Sequence, residues 1–440
     1  MTAWCQRDTG AGLAKLAASS RGYHRNMNAF RFLSCLAAVL LAACATPSAI
    51  PSRTAPDEPP SLLLVSIDGF RADYLGRDRT PQLARLAREG VHARWMVPSY
   101  PSLTFPNHYS IVTGLRPDRH GIVHNLMSDP ALGRFGTSRP QAVSDARWWG
   151  GEPIWVTAAK AGLPTATLFW PGSEAAIGGV RPSRWTPYDA DLPPEARVDT
   201  VLRWLSEPAA TRPRLATLYF GEVDSAGHHF GPESAQVDNA LSRTDQQIGR
   251  MLRELNRRGL RDRVNLVIVS DHGMAQVRRE RVLAIESLVD PADALVIHYG
   301  EVLGFLPIPG REASVQARLL GRHRGYECWK KDELPARWHY GSHPRIPPIV
   351  CQMEVGWMAI PRERIDEYPP GATRGAHGFD PQSPQMRAIF IADGPAFADG
   401  VELPPIDNVD VYPLLARLLG VPPADNDGDI AHVEPALREP

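Results

Sequence analysis

A chain of 440 residues with 43% hydrophobic and 22% charged side chains has a globular composition, and its length suits one large α/β domain with insertions or two to three average domains. Its formal net charge of -1 excludes the dense basic surface that polymeric nucleic acid requires. The 42 prolines and 36 glycines suit many loops at strand ends and count against a helical bundle.

In chain order, the first segment reads as an export signal. A short basic region from Met27 to Arg31 precedes an apolar stretch from Phe32 to Ala43, which ends in "LAAC" at Cys44. Met27 is the preferred start, and residues 1 to 43 form the signal region. The apolar run is too short for a permanent membrane span. "LAAC" resembles a bacterial lipobox, so lipidation of Cys44 is expected, with a plain signal peptide cut nearby as the alternative. The expectation is a periplasmic or outer-membrane lipoprotein of a Gram-negative bacterium, touching the membrane only through its lipid anchor. Residues 44 to 60 are a proline-rich tether.

Cys5, Cys35 and Cys44 fall in or before this signal, leaving Cys328 and Cys351 as the cysteines of the mature body. A disulfide between them is expected, the alternative being two buried free thiols. It would close a loop of about twenty residues and contribute roughly 3 kcal/mol.

The folded body is read as residues 61 to 423. "SLLLVSIDGF" (61 to 70) is a continuous apolar run ended by Asp68-Gly69, the pattern of a strand buried on both faces. "TPQLARLAREG" (80 to 90) has helical apolar spacing and a glycine stop. The strand pattern recurs before Asp224 and His228 in "RLATLYFGEVDSAGHHFGP" and before Asp271-His272 in "VNLVIVSDHGM", with an amphipathic helix over 237 to 259 between them. Such alternation predicts a mostly parallel sheet with helices on both faces and ligands beyond the carboxyl ends of its strands. Residues from about 275 to 370 read as an inserted subdomain before the return "AHGFDP" (376 to 381). A buried strand follows in "MRAIFIADGPAF" and a last helix in "NVDVYPLLARLLGV". Residues 424 to 440 read as a poorly ordered tail.

Singly, each acid at a strand end is an ordinary turn or cap residue and each histidine an ordinary structural one. Together Asp68, Asp224, His228, Asp271, His272 and His377 supply carboxylate and imidazole ligands that suit zinc. Six are enough for two ions of three protein ligands each, with open positions for chemistry. Thr104, in "PSLTFPNHYSIVTG", is the candidate nucleophile, because coordination to a dication lowers the pKa of its hydroxyl. The alternative role for Thr104 is a turn or N-cap before a helix starting near Asn107.

"LTFPNHYSIVTGLRPDRHGIVHN" together with "IDGF", "VDSAGH", "SDHGM" and "HGFD" resembles the nucleotide pyrophosphatase/phosphodiesterase family of the alkaline phosphatase superfamily, over nearly all of residues 61 to 420 and closest to bacterial members. The resemblance implies an alkaline-phosphatase-like fold and two zinc ions per chain. One would be held by Asp224, His228 and His377, the other by Asp68, Asp271 and His272 with the Thr104 hydroxyl. It implies that Asn125 and a backbone N–H at the nucleophile donate to a phosphoryl oxygen, and that Phe105 and Tyr188 sandwich a nucleobase. His108, His120, His124 and His229 are surplus to six ligands and are read as structural or as orienting the ligands.

The implied activity is hydrolysis of phosphodiester and pyrophosphate bonds of small nucleotides to nucleoside 5'-monophosphates through a covalent threonine intermediate, by a monomer. Its rivals are a sulfatase, opposed by the lack of a Cys/Ser-x-Pro-x-Arg motif, and a phosphomonoesterase, opposed by the lack of an arginine beside Thr104. A surface-tethered binding lipoprotein with structural metals is the third, opposed by a ligand set without cysteine.

Overall fold

The computed structural model describes residues 58–438. The expected signal region with Met27, the Cys44 lipidation site and the tether as far as residue 57 lie outside the described residues.

Eight strands build the central sheet: β1 Ser61–Ile67, β2 Val91–Ala93, β3 Thr165–Leu168, β4 Arg184–Thr186, β5 Leu215–Phe220, β6 Val264–Val269, β7 Phe390–Asp393 and β8 Val401–Leu403. Their spatial order is β8, β2, β7, β6, β1, β5, β3, β4. Every neighbouring pair is parallel except the two made by β7, which runs against β2 and β6. β1 lies between β5 and β6 and is buried along its whole length, so its sequence is mostly apolar instead of alternating.

Alternate residues of β1 feed two cores. Leu62 and Leu64 pack with Tyr109, Trp155 and Leu414, whereas Leu63, Val65 and Ile67 pack with Leu86, Val201 and Ile248. The first face is covered by helices α2 (Thr104–Thr113) and α6 (Val411–Leu419), the second by α1 (Pro81–Glu89), α3 (Pro194–Leu205) and α5 (Ala235–Arg257), while α4 (Glu222–Phe230) follows β5 directly. Helix α5 buries Val237, Leu241, Ile248, Met251, Leu252 and Leu255, the three-and-four spacing of one face, and Ser234 caps its start by accepting the Val237 N–H. No described helix is long and apolar enough to cross a membrane.

Past Met274 the chain leaves and re-enters the domain through an antiparallel ribbon, Ala275–Arg278 against Thr373–Ala376. Between these arms lies a five-stranded antiparallel sheet ordered Ala294–His298, Val302–Pro307, Ile349–Met353, Tyr326–Lys330, Gly321–His323, with its own core around Leu303, Phe305 and Val315. Cys328 and Cys351 stand directly opposite each other in it, Cα atoms 4.0 Å apart, and form a disulfide.

Two expectations are corrected. Helix α2 begins at Thr104, three residues before Asn107, with Leu103 as an extended N-cap. Pro106 is tolerated because first-turn N–H groups lack intrahelical acceptors. Asn107 stitches the preceding turn, donating to the Pro101 and Leu103 carbonyls and accepting the Ser99 N–H. Residues 424–438 are packed, not loose. Val433 and Ala436 are fully buried, Asp427 accepts the Arg116 N–H at 2.8 Å and pairs with Arg119, and His432 meets Asp410 at 2.9 Å. Asp425 and Asp427 pair with Arg119, which a polar tail read alone does not reveal.

Candidate active site

β1, β5 and β6 are adjacent and parallel, so Asp68, Asp224 and Asp271 emerge at one edge of the sheet. His272 follows Asp271, and His228 lies one helical turn beyond Asp224 on α4. His377 arrives from the far arm of the ribbon, right after Ala376.

These residues meet in two overlapping groups. In the first, Asp224 Oδ1 is 3.4 Å from His228 Nε2 and 3.6 Å from His377 Nε2. In the second, His272 Nε2 is 2.9 Å from Asp271 Oδ2, 3.6 Å from Asp68 Oδ1 and 3.3 Å from Thr104 Oγ1. The triads Asp224–His228–His377, Asp68–Asp224–His272 and Asp68–His108–Asp271 each bring one ligand atom per residue within 4.8 Å of the others.

The tautomers follow from the partners. His228, His272 and His377 each direct Nδ1 at a backbone carbonyl, of Gly375, Gly273 and Ser102 respectively, at 2.9 to 3.0 Å. A carbonyl only accepts, so Nδ1 carries the proton and Nε2 turns toward the carboxylates with its lone pair. Asp68 Oδ1, Asp224 Oδ1 and Asp271 Oδ2 are buried without a hydrogen-bond donor. The inward Nε2 atoms and three orphaned carboxylate oxygens call for positive charge between them, as protons or as cations. The donor set, oxygen and imidazole nitrogen without sulfur, therefore fits a pair of divalent ions.

Without such ions the charges strain against each other. Burial, then repulsion from Asp271 and Asp224, holds the Asp68 carboxyl well above the usual carboxylate range. Burial likewise lifts Asp224 to about 7. Burial also presses on Asp271, but the neighbouring His272 and His108 overcome it and keep that carboxyl well below the ordinary value. His272 is pushed up to about 9, since the Asp271 charge outweighs desolvation, while burial and then the His272 charge hold His377 well below an ordinary imidazole.

Thr104 opens α2 at the rim of a cavity of about 410 Å³, lined also by Asp68, Asp224, Phe105, Asn125 and Tyr188. Of the sequence-predicted residues, Asp68, Asp224, Thr104, Phe105, Asn125 and Tyr188 share this cavity, and His228, Asp271, His272 and His377 adjoin them through the contacts above. Asn125 Oδ1 accepts the Phe105 N–H at 3.0 Å, so that backbone donor is already engaged and the carboxamide NH2 is the free one. Phe105 is half-buried against Phe135 and Trp149; Tyr188 is 55% exposed, edge-on to Phe169, its N–H held by Glu174.

Tyr219, which sequence reasoning missed, donates to Asp68 Oδ2 at 2.6 Å; a lone tyrosine in an apolar strand carried no signal for this. Of the surplus histidines, His120 and His124 are buried away from the triads and held neutral by desolvation, and His229 bonds the Ser225 carbonyl. His108 lies beneath Asp271.

The family model for type I phosphodiesterase/nucleotide pyrophosphatase matches residues 62–380. The chain belongs to that family. Its members are phosphodiesterase and pyrophosphatase enzymes. Among relatives of this type I phosphodiesterase, a pyrophosphatase/phosphodiesterase of Schizosaccharomyces pombe is 35% identical across 86% of this chain and 80% of its own length. Human ectonucleotide pyrophosphatase/phosphodiesterase family member 1 is 35% identical across 87% of this chain. The chain spans 42% of that human protein and 44% of bovine family member 3. A solved structure of murine ectonucleotide pyrophosphatase/phosphodiesterase 5, an inactive threonine-to-alanine variant in complex with AMP, superposes with a TM-score of 0.81 at 32% identity, covering 87% of this chain and all of that one.

Proposed function

We propose that this phosphodiesterase hydrolyses phosphodiester and pyrophosphate bonds of small nucleotides to nucleoside 5'-monophosphates, with Thr104 as nucleophile and two zinc ions as cofactors. The observation that carries the reading is the Thr104 hydroxyl 3.3 Å from His272 Nε2, at the rim of a cavity shared with Phe105, Asn125 and Tyr188. When bound at Asp224, His228, His377 and at Asp68, Asp271, His272, the ions supply charge neutralisation of the phosphoryl group and a lowered pKa for the threonine.

Thr104 Oγ1 attacks phosphorus opposite the leaving oxygen and forms a nucleotidyl-threonine ester, which water then cleaves, giving two inversions and net retention. The N-terminus of α2 faces the phosphoryl group with its positive end. The Asn125 NH2 donates to the remaining phosphoryl oxygen, and Phe105 and Tyr188 receive the base between them. AMP in the murine structure supports a nucleotide at this site, and the inactivity of its threonine-to-alanine variant supports a threonine in the chemistry. No Lys or Arg lines the cavity among the described residues, which disfavours the extra charge of a monoester.

The test is the ratio of kcat/KM for a nucleotide aryl diester to that for an aryl phosphate monoester on zinc-loaded protein beginning after Cys44. A ratio above ~100, about 2.7 kcal/mol of transition-state preference, supports the reading, and a ratio below about 1 makes the protein a monoesterase. We also propose export and a lipid anchor at Cys44, supported by the apolar segment ending there and by a disulfide of the kind that persists in oxidising compartments. The mass of the N-terminal peptide from its native host tests this.

A further inference from the structure

His108 is fully buried on α2, one turn after Thr104, and belongs to neither ligand set proposed above. Its Nδ1 lies 2.9 Å from the Thr104 carbonyl oxygen and 3.2 Å from Asp271 Oδ2. Both neighbours can only accept, so Nδ1 bears a hydrogen, which it donates to the nucleophile's own backbone carbonyl while the same nitrogen lies beside the Asp271 carboxylate. Nε2 is 2.8 Å from Ser66 Oγ on β1, two residues before Asp68. The ring is clamped edge-on by Trp170 and Tyr219, and Trp170 Nε1 donates to the His108 carbonyl. One imidazole therefore touches the helix that carries Thr104, the loop that carries Asp271 and the strand that carries Asp68. No other described side chain is recorded in contact with both Thr104 and Asp271 except the neighbouring ligand His272.

We infer that His108 is a positioning residue that keeps Thr104 and Asp271 in register, and so sustains the ion at Asp68, Asp271 and His272 selectively over the ion at Asp224, His228 and His377. The selectivity follows from placement, because its polar contacts are with Ser66, Thr104 and Asp271 and with no member of the other triad. A residue that merely fills the core would weaken both sites alike or neither. The inference rests on the two-ion reading above.

The experiment is a zinc titration of the ion-free chain against a competing chelator for wild type, His108→Ala and His108→Asn, with zinc anomalous scattering to locate retained ions and near-ultraviolet circular dichroism to verify folding. Asn keeps an N–H donor close to where imidazole Nδ1 sits, whereas Ala keeps none. We expect His108→Ala to weaken one ion by about 10- to 100-fold and to retain the ion at Asp224, His228 and His377, while His108→Asn stays within about 3-fold of wild type. Two wild-type affinities in His108→Ala, equal weakening of both ions, or no difference between the Ala and Asn variants would each overturn the inference. Failure of the wild type itself to bind two ions would instead overturn the two-ion reading, and this inference with it. If His108→Ala does not fold, the Asn variant still decides: its weakening of the Asp68 site by 10-fold or more, or of both sites, refutes the positioning role by N–H donation, and two near-wild-type affinities sustain it.

Discussion

The Nε2 atoms of His228 and His377 face each other at 3.0 Å, and both rings are committed through Nδ1–H to backbone carbonyls. Two lone pairs at that distance, with Asp224 Oδ1 beside them, call for a cation. Chelation is therefore expected to abolish turnover while leaving far-ultraviolet circular dichroism unchanged, and zinc should restore activity. Ions that bind only the folded chain stabilise it by about 2.7 kcal/mol at a hundredfold excess over Kd, so the Tm of the chelated protein should fall. A Tm indifferent to chelation would contradict this.

Ion affinity should rise with pH. Without ions the Asp271 charge, against the pull of burial, pushes His272 up to about 9, and burial lifts Asp224 to about 7, so at neutral pH His272 holds a proton that a bound ion must displace. Below the His272 value each fall in pH adds proton competition, and above it the competition ends. Chelator-competition titrations from about pH 6 to about pH 10 should show affinity climbing and then levelling near 9. A flat profile would argue against His272 as a ligand.

Thr104→Ala should lower kcat/KM by about 1,000-fold or more with both ions retained, since the nucleophile is lost and the ligand imidazoles are not. Acid-quenched reactions with substrate labelled at phosphorus should leave label on the wild-type chain and none on the variant. Near-wild-type turnover would remove Thr104 from the nucleophile role.

Asn125→Ala removes a side-chain amide whose NH2 is left free at the cavity once Oδ1 has accepted the Phe105 N–H. The expected loss is roughly 100- to 1,000-fold in kcat with KM changed far less, the pattern for a donor that acts on developing charge. A loss confined to KM would make Asn125 a ground-state contact.

Replacing Cys328 and Cys351 by serine opens a loop whose ends are 23 residues apart in sequence. The cost should be about 3 kcal/mol by chain entropy, read from denaturant unfolding as a lower midpoint. Because both cysteines belong to the inserted sheet, zinc content of the folded variant should be unchanged.

The sheet was legible where its strands are buried on both faces. β1, β5 and β6 are mostly apolar and followed within four residues by Asp68, Asp224 and Asp271, which meet at the site. β2, β4 and β8 span three residues each, too few for any period to appear. The ligands were legible because their residue types are costly at strand ends unless used. Tyr219 and Ser66 were not, because their roles depend on which side chain faces them across the sheet, and no spacing encodes that. The packed C-terminus was misread for a related reason: Asp425 and Asp427 look solvated until Arg119 is placed beside them.

The position of β7 in the sheet dictates the order in which this protein can be assembled. It is the seventh sheet strand in sequence, yet it lies between β6 and β2. Until residue 393 has joined the chain, β2 has no sheet partner, since β7 and β8 both follow it, and the growing sheet ends at β6. His377 too lies downstream of the whole inserted subdomain, so the first ion set is incomplete until that excursion has returned. Nascent chains ending before β7 therefore cannot close the sheet, and the Asp224, His228 and His377 group can assemble only after the inserted subdomain has been made.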